Sequence, residues 1–376
     1  MEERIPLATP TMHGEELEHI REAFARNYIA PVGFHCDAFE EEMIRYLYGQ
    51  KLPQKAALAL NSGTAALHLA VKLAGVRPGD IVLCSDMTFA ATVNPISYEG
   101  GVQVFVDCEA QSWNMDPAAL ERAFEKYPQA KVVMLAHLYG TPAQMDAIAG
   151  ICRRHHAVLI EDAAEALAAE YQGKLCGTFG DYGVLSFNGN KLITTSGGGM
   201  LLTVTEAQRQ QALHLATQAK DPAPWYQHSQ IGYNYRLSNV LAGIGRGQLK
   251  YVREHRDRKE AIYRRYAQGL SDLPVTMNPF PVDAVPNFWL SCITVNPGCH
   301  VSPMHLMDVL AKHNVEARPI WKPMHLQPVF ADCDFIRVAD KPVSEDIFAR
   351  GLCLPSDIKM TASQQDYVID LIHSCF

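Results

Sequence analysis

Between Lys55 and Val204, seven short apolar runs (KAALAL, DIVLCS, VQVFVD, KVVMLAH, AVLIED, YGVLSF and GGMLLTV) alternate with longer segments of helical period. Runs of this length read as buried strands, and strands separated by helices imply crossover connections. The expected fold class is therefore α/β, a mostly parallel central sheet flanked by helices. Before the first run, GEELEHIREAFAR carries a helical pattern. After the last, Leu237 to Leu270 reads as one long helix, and the basic residues of its charged end, REHRDRKEAIYRRYAQGL, form a solvated face. Beyond the proline-rich LPVTMNPFPVDAVPNF come the strand-like WLSCITV, a helix from about Met304 to His313 and a terminal helix ending near Cys375. The division this predicts is a large domain over residues 1–250, including the N-terminal segment, and a small C-terminal α+β domain over residues 251–376.

A chain of 376 residues, 48% hydrophobic and 20% charged, can bury a large core. Its formal net charge of −8 lacks the basic footprint of a nucleic-acid binder. No stretch is long and apolar enough to span a bilayer, and MEERIPLATP lacks the apolar centre of a signal peptide, so a soluble protein of the cytoplasm is expected. The ten cysteines include no CxxC pair and suit reduced, buried side chains. Cys152, His155 and His156 read as a helix end rather than a metal cluster, and no metal site is expected.

In an open α/β sheet ligands bind beyond the carboxyl ends of the strands. Three such ends stand out. After KAALAL comes Asn61-Ser62-Gly63-Thr64, a small-residue turn opening a helix, where free amides and the positive end of the helix dipole would face an anion. The same turn also reads as simple N-capping by Ser62 or Thr64. After AVLI comes Glu161-Asp162-Ala163-Ala164-Glu165-Ala166, a carboxylate suited either to pair with a protonated ring nitrogen or to cap the next helix. After YGVLSF comes NGNKLITTSGGG, in which Lys191 is either a solvated charge or the amine of a Schiff base with a carbonyl cofactor. An anion turn, a carboxylate and a lysine together are the needs of pyridoxal 5'-phosphate.

The order NSGTAAL, EDAAEA, SFNGNK with GGG, then GYNYRLSN resembles the DegT/DnrJ/EryC1/StrS sugar aminotransferases, from NYIAPVG to ARPIWKPMHLQPVF. The stretches LIEDAAEAL, GTFGDYGVLSFNGNKLITTSGGGML and GYNYRLSNVLAGIG are most similar to members that make UDP-4-amino-4,6-dideoxy-N-acetylglucosamine, the bacillosamine precursor. The resemblance implies a fold-type I pyridoxal phosphate-dependent transferase with Lys191 as the catalytic residue, holding the cofactor and then moving the proton between substrate and cofactor carbons. Family members with His at that place are dehydratases. It also implies that Asp162 keeps the pyridine nitrogen protonated, that Gly63, Thr64 and Ser186 hold the phosphate, and that Phe89 of DMTFAAT stacks on the ring. Glu165 would lie near the cofactor hydroxyl, where many members carry Gln or His.

Asn234 would reach the phosphate of a neighbouring subunit, which implies a homodimer with shared active sites. Arg318, Lys322 and His325 are implied candidates for a nucleotide-sugar diphosphate. The activity expected on this basis is transfer of an amino group from L-glutamate to the C4 ketone of UDP-4-keto-6-deoxy-N-acetylglucosamine. The alternatives are amination at C3, another nucleotide (dTDP or GDP), or, more remotely, a non-catalytic cofactor-binding regulator.

Overall fold

The computed structural model describes residues 4–49 and 56–376. All seven apolar runs form strands: β1 Ala56–Leu60, β2 Ile81–Ser85, β3 Val102–Val106, β4 Val132–Ala136, β5 Val158–Asp162, β6 Tyr182–Ser186 and β7 Gly199–Thr203. Lys55, which opens the first run, lies outside the described residues. A further strand, β8 Asp334–Ile336, joins from the C-terminal part of the chain. The eight lie in the order β1-β7-β6-β5-β4-β2-β3-β8. β7 runs antiparallel to β1 and β6, and the remaining pairs are parallel.

Burial on both faces explains why these strands are almost continuously apolar. In β2, Val82 and Cys84 pack into the core beneath the helix Gly63–Leu73, whereas Leu83 joins the opposite core with Leu120, Phe124 and Ile148 of the helices Pro117–Lys126 and Met145–Arg154. Each such fully buried aliphatic side chain contributes about 1.5–3 kcal/mol. The helix Met145–Arg154 ends at His155, whose ring stacks on Phe124, in keeping with the expected helix end.

A second, antiparallel sheet of four strands is built from Val275–Met277, Ser291–Val295, Gly351–Leu354 and Arg318–Pro319. Its core is shared with the helices Val252–Gly269, Pro303–Lys312 and Ala362–His373. The chain crosses between the two sheets at both ends, with Ile5 buried in the second core and bridged to Val315, and β8 returning to the edge of the first sheet.

The single long helix expected from Leu237 to Leu270 is two, Asn239–Leu249 and Val252–Gly269. The first is docked against the N-terminal helices Glu15–Ala25 and Phe34–Tyr48. A Cβ at Gly245 would lie 2.6 Å from the Phe39 ring and one at Gly247 3.0 Å from the Glu16 amide. The break at Lys250 and Tyr251 lets the second helix turn away and pack on the small sheet.

Candidate active site

The carboxyl ends of β1, β2, β4, β5 and β6 and the start of antiparallel β7 open on one cavity of about 350 Å³. β3 lies on one side of β2 and β4 on the other, so the cavity sits where the strand order reverses.

At one end of the cavity, Ser62 caps the helix Gly63–Leu73, accepting from the Ala65 amide at 3.0 Å, so the capping role is real. Gly63 and Thr64 line the cavity beside Ser62, with Ser186 opposite. The approach is close enough that a Cβ at Gly63 would lie 3.1 Å from Ser186 Cβ. A Cβ at Gly199 would lie 2.4 Å from the Gly63 nitrogen and the Ser62 carbonyl carbon, which are backbone atoms that cannot rotate aside. Gly199→Ala is therefore expected to cost about 2–3 kcal/mol and to weaken anion binding at this turn. Urea denaturation with and without inorganic phosphate checks both, and unchanged stability would show that the strand and turn can separate.

At the centre, Asp162 ends β5. Its Oδ2 accepts from the Thr92 hydroxyl at 2.7 Å and its Oδ1 from the Ala164 amide at 3.0 Å, while Thr92 lies 2.5 Å from the Thr88 hydroxyl. These donors fix the carboxylate against the cavity wall, a role different from helix capping.

Lys191, on the loop after β6, points its Nζ to within 3.4 Å of Glu165 Oε1 and 4.1 Å of the Trp289 ring centre. Glu165 Oε2 accepts from the Tyr139 amide at 2.7 Å. Burial pushes the Glu165 carboxyl up to about 7, against the opposing pull of Lys191 and the Tyr139 amide. The unfolded carboxyl ionises near 4.5, so between these values the unfolded chain releases its proton first and stability falls as pH rises, levelling above about 7. Glu165→Gln should remove this penalty, stabilising the cofactor-free protein by up to about 3 kcal/mol near pH 8.5, with the gain vanishing at about pH 4.5. Urea midpoints at the two pH values test it, and an equal difference at both would refute the assignment.

Phe89, 59% exposed, lines the cavity and lies 5.4 Å from Trp321. Trp289 and Trp321 line it too, together with Thr88 and Thr92. Sequence reasoning missed these four. The threonines had a signal, being spaced i, i+4 within the DMTFAAT stretch, whereas the tryptophans arrive from distant segments.

Asn234 does not line this cavity. It is exposed, between Tyr233 and Tyr235, whose rings pack on His68 at 4.8 and 5.9 Å. Arg318, Lys322 and His325 also lie outside the lining: Arg318 pairs with Glu316 at 2.9 Å, Lys322 is exposed, and His325 is held between Asp86 at 2.8 Å and Glu345 at 3.1 Å. Burial pulls the His325 imidazole down, but the two carboxylates prevail and its pKa is raised.

Away from the cavity, His19, Glu22 and His35 bring nitrogen and oxygen atoms within 4.8 Å of one another. Arg246 donates to His35 Nδ1 at 3.0 Å, and Nε2 donates to the His19 carbonyl at 3.0 Å. A metal-bound histidine needs an acceptor for its second N–H, and a guanidinium is donor-only, so the cluster is a hydrogen-bonded corner rather than a metal centre.

The model of the DegT/DnrJ/EryC1/StrS aminotransferase family matches residues 10–373. EpsN from Bacillus subtilis (strain 168), which carries the name of a pyridoxal phosphate-dependent aminotransferase, is 46% identical over 100% of this chain and 97% of its own. GDP-perosamine synthase from Caulobacter vibrioides is 35% identical, covering 97% of this chain and 96% of its own. The solved structure of the aminotransferase TlmJ from Streptoalloteichus hindustanus superposes with a TM-score of 0.88 at 27% identity, covering 98% of each chain.

The cavity suits pyridoxal 5'-phosphate in its own terms. It has amides and hydroxyls at a helix N-terminus for the phosphate, a fixed carboxylate for the ring and a lysine amine for the aldehyde, with glycines at 63 and 199 where any Cβ would crowd the cradle. The chain belongs to the DegT/DnrJ/EryC1/StrS aminotransferase family and is a pyridoxal 5'-phosphate-dependent aminotransferase.

Proposed function

We propose that this enzyme transfers the amino group of L-glutamate to the C4 ketone of UDP-4-keto-6-deoxy-N-acetylglucosamine, forming UDP-4-amino-4,6-dideoxy-N-acetylglucosamine. The observation that carries the reading is the aromatic wall of Phe89, Trp289 and Trp321 around the Lys191 amine, an apolar surface suited to a sugar with a methyl at C6 and an acetamido group. The LIEDAAEAL and GYNYRLSN stretches support the C4, UDP-linked assignment.

Bound pyridoxal phosphate supplies an electron sink for the carbon that loses its proton. Asp162, fixed by the Thr92 hydroxyl, would pair with the ring nitrogen and favour its protonated form. Lys191, once free, takes the proton from the donor carbon and returns it on the acceptor side, and it must be neutral to do so. Ser62, Gly63, Thr64 and Ser186, which line the helix-N-terminal end of the cavity, would hold the phosphate, and the exposed Phe89 would pack against the ring. Lys322, next to Trp321 on the cavity, is the best placed of the three cations for the diphosphate. Arg318 and His325 reach it only by leaving their carboxylates.

The working form is a homodimer. Tyr233 and Tyr235 turn inward, so the Asn234 between them faces outward, where it can serve a partner's phosphate site. Leu17, Phe24, Ile29 and Val32 are large apolar side chains exposed on the N-terminal segment, surface that a second copy of the chain would cover. Reduced thiols throughout suit the cytoplasm, and among the described residues no helix is long and apolar enough to cross a membrane.

The deciding experiment is glutamate-dependent amination of UDP-4-keto-6-deoxy-N-acetylglucosamine, with GDP- and dTDP-linked 4-keto-6-deoxy sugars in parallel and product identified by mass and NMR. A 4-amino UDP-sugar formed at least about tenfold faster than the others is the expected result. Preference for the GDP-linked sugar would move the enzyme towards the perosamine synthases it resembles, and amination at C3 would overturn the position.

A further inference from the structure

Lys259, on the helix Val252–Gly269, is buried, and its ammonium donates to two backbone carbonyls, Trp289 at 2.9 Å and Ser356 at 2.8 Å. Burial pulls the ammonium down to about 8, with Asp357 the opposing charge. A cation held this way is costly, and the group it fixes is specific. Trp289 follows Phe288, whose φ of +55° sets a sharp turn. Its amide donates to Asn287 Oδ1 at 2.9 Å, and the Asn287 side chain donates in turn to the Glu165 carbonyl at 2.6 Å. The Trp289 indole N–H donates to the Asn190 carbonyl at 2.7 Å, one residue before Lys191, and its ring face receives the Lys191 ammonium at 4.1 Å. One side chain therefore grips both the loop of Lys191 and its reacting nitrogen.

We propose that Trp289, anchored by Lys259, is a positioning residue for Lys191, holding its loop through the indole N–H and its amine over the ring throughout amino transfer. The proposal rests on the reading of Lys191 as the residue that joins the cofactor and moves the proton. The titratable groups facing Lys191 are Glu165 at 3.4 Å and, across the cavity, Asp162 and His137, with His255 and Lys259 behind its loop. The ring favours a cation at that nitrogen, whereas the indole N–H limits where the nitrogen travels.

The test titrates cofactor-free wild type, Trp289→Phe, Trp289→Leu and Lys259→Met with pyridoxal phosphate. It reads the pH midpoint of the visible absorbance band formed with Lys191, then kcat and KM for glutamate. Trp289→Leu should lower the midpoint by about one pH unit, a tenfold loss of proton affinity, and kcat by at least about tenfold with KM for glutamate within about threefold. Trp289→Phe, which keeps a ring but no donor, should fall between. Lys259→Met, outside the cavity, should reproduce part of both effects. A folded Trp289→Leu protein with wild-type midpoint and kcat overturns the proposal. A folded Lys259→Met protein with both unchanged overturns the anchor, and if that variant does not fold, the two Trp289 variants decide. A wild type that forms no band, or a band that survives Lys191→Ala, overturns the Lys191 reading instead.

Discussion

Lys191→Ala is expected to lower amino transfer by at least about 10³-fold while changing stability by less than about 1 kcal/mol. Lys191 is the one primary amine on the cavity wall among the described residues, so no neighbour can take over joining the cofactor or moving the proton. Stability is spared because the partner left behind, Glu165, already sits near neutrality at about 7 and can keep its proton rather than remain a bare buried charge. Lys191→Arg should fail equally, because a guanidinium cannot be deprotonated and cannot act as the base. Single-turnover product formation measures the loss and urea denaturation the stability. More than a few per cent residual turnover in the alanine variant would remove Lys191 from the centre of the chemistry.

Asp162→Asn is expected to reduce turnover by about 10²–10³-fold with a stability change within about 1 kcal/mol. The amide oxygen of Asn can still accept from the Thr92 hydroxyl at 2.7 Å or the Ala164 amide at 3.0 Å, so the local frame survives. What it lacks is the charge that holds a proton on the ring nitrogen, and with it the electron sink. Asp162→Ala removes the charge and the frame together, so it should lose similar turnover and more stability. The informative comparison is kcat against the urea midpoint for the Asn variant: parallel losses would make Asp162 a structural carboxylate rather than a partner of the cofactor.

Strand-forming periodicity is strong enough that β1 to β7 and the strand Ser291–Val295 are all legible in the amino-acid sequence. β8 is not, because three residues, Asp334–Ile336, carry no period and become a strand only by pairing with β3. The helix Leu237–Leu270 misleads because the chain keeps a helical period on both sides of Lys250; Gly243, Gly245 and Gly247 weaken that period locally, and they allow the close docking on Phe39 and Glu16 from which the second helix turns away to the small sheet.

The site divides the same way. Gly63, Thr64, Asp162, Glu165, Ser186 and Lys191 all lie at or just beyond the carboxyl ends of strands, and a parallel sheet brings these ends to one edge, so their meeting is implicit in the chain. Tyr139 on Glu165, and Trp289 and Trp321 across from Lys191, depend on how loops and the second sheet pack, which no local pattern encodes, whereas Thr92 beneath Asp162 leaves a faint signal in its spacing from Thr88. Likewise His325 looks like a free cation in the sequence, and only the folded chain supplies the Asp86 and Glu345 carboxylates that hold it, whereas the partner of Arg318, Glu316, stands just two residues before it. The sequence by itself determined the sheet and the residues along its carboxyl edge, because both follow from local period and chain order. The tertiary structure alone decided which distant side chains hold Lys191 and Asp162 in place, because those contacts arise from packing between segments far apart in the chain.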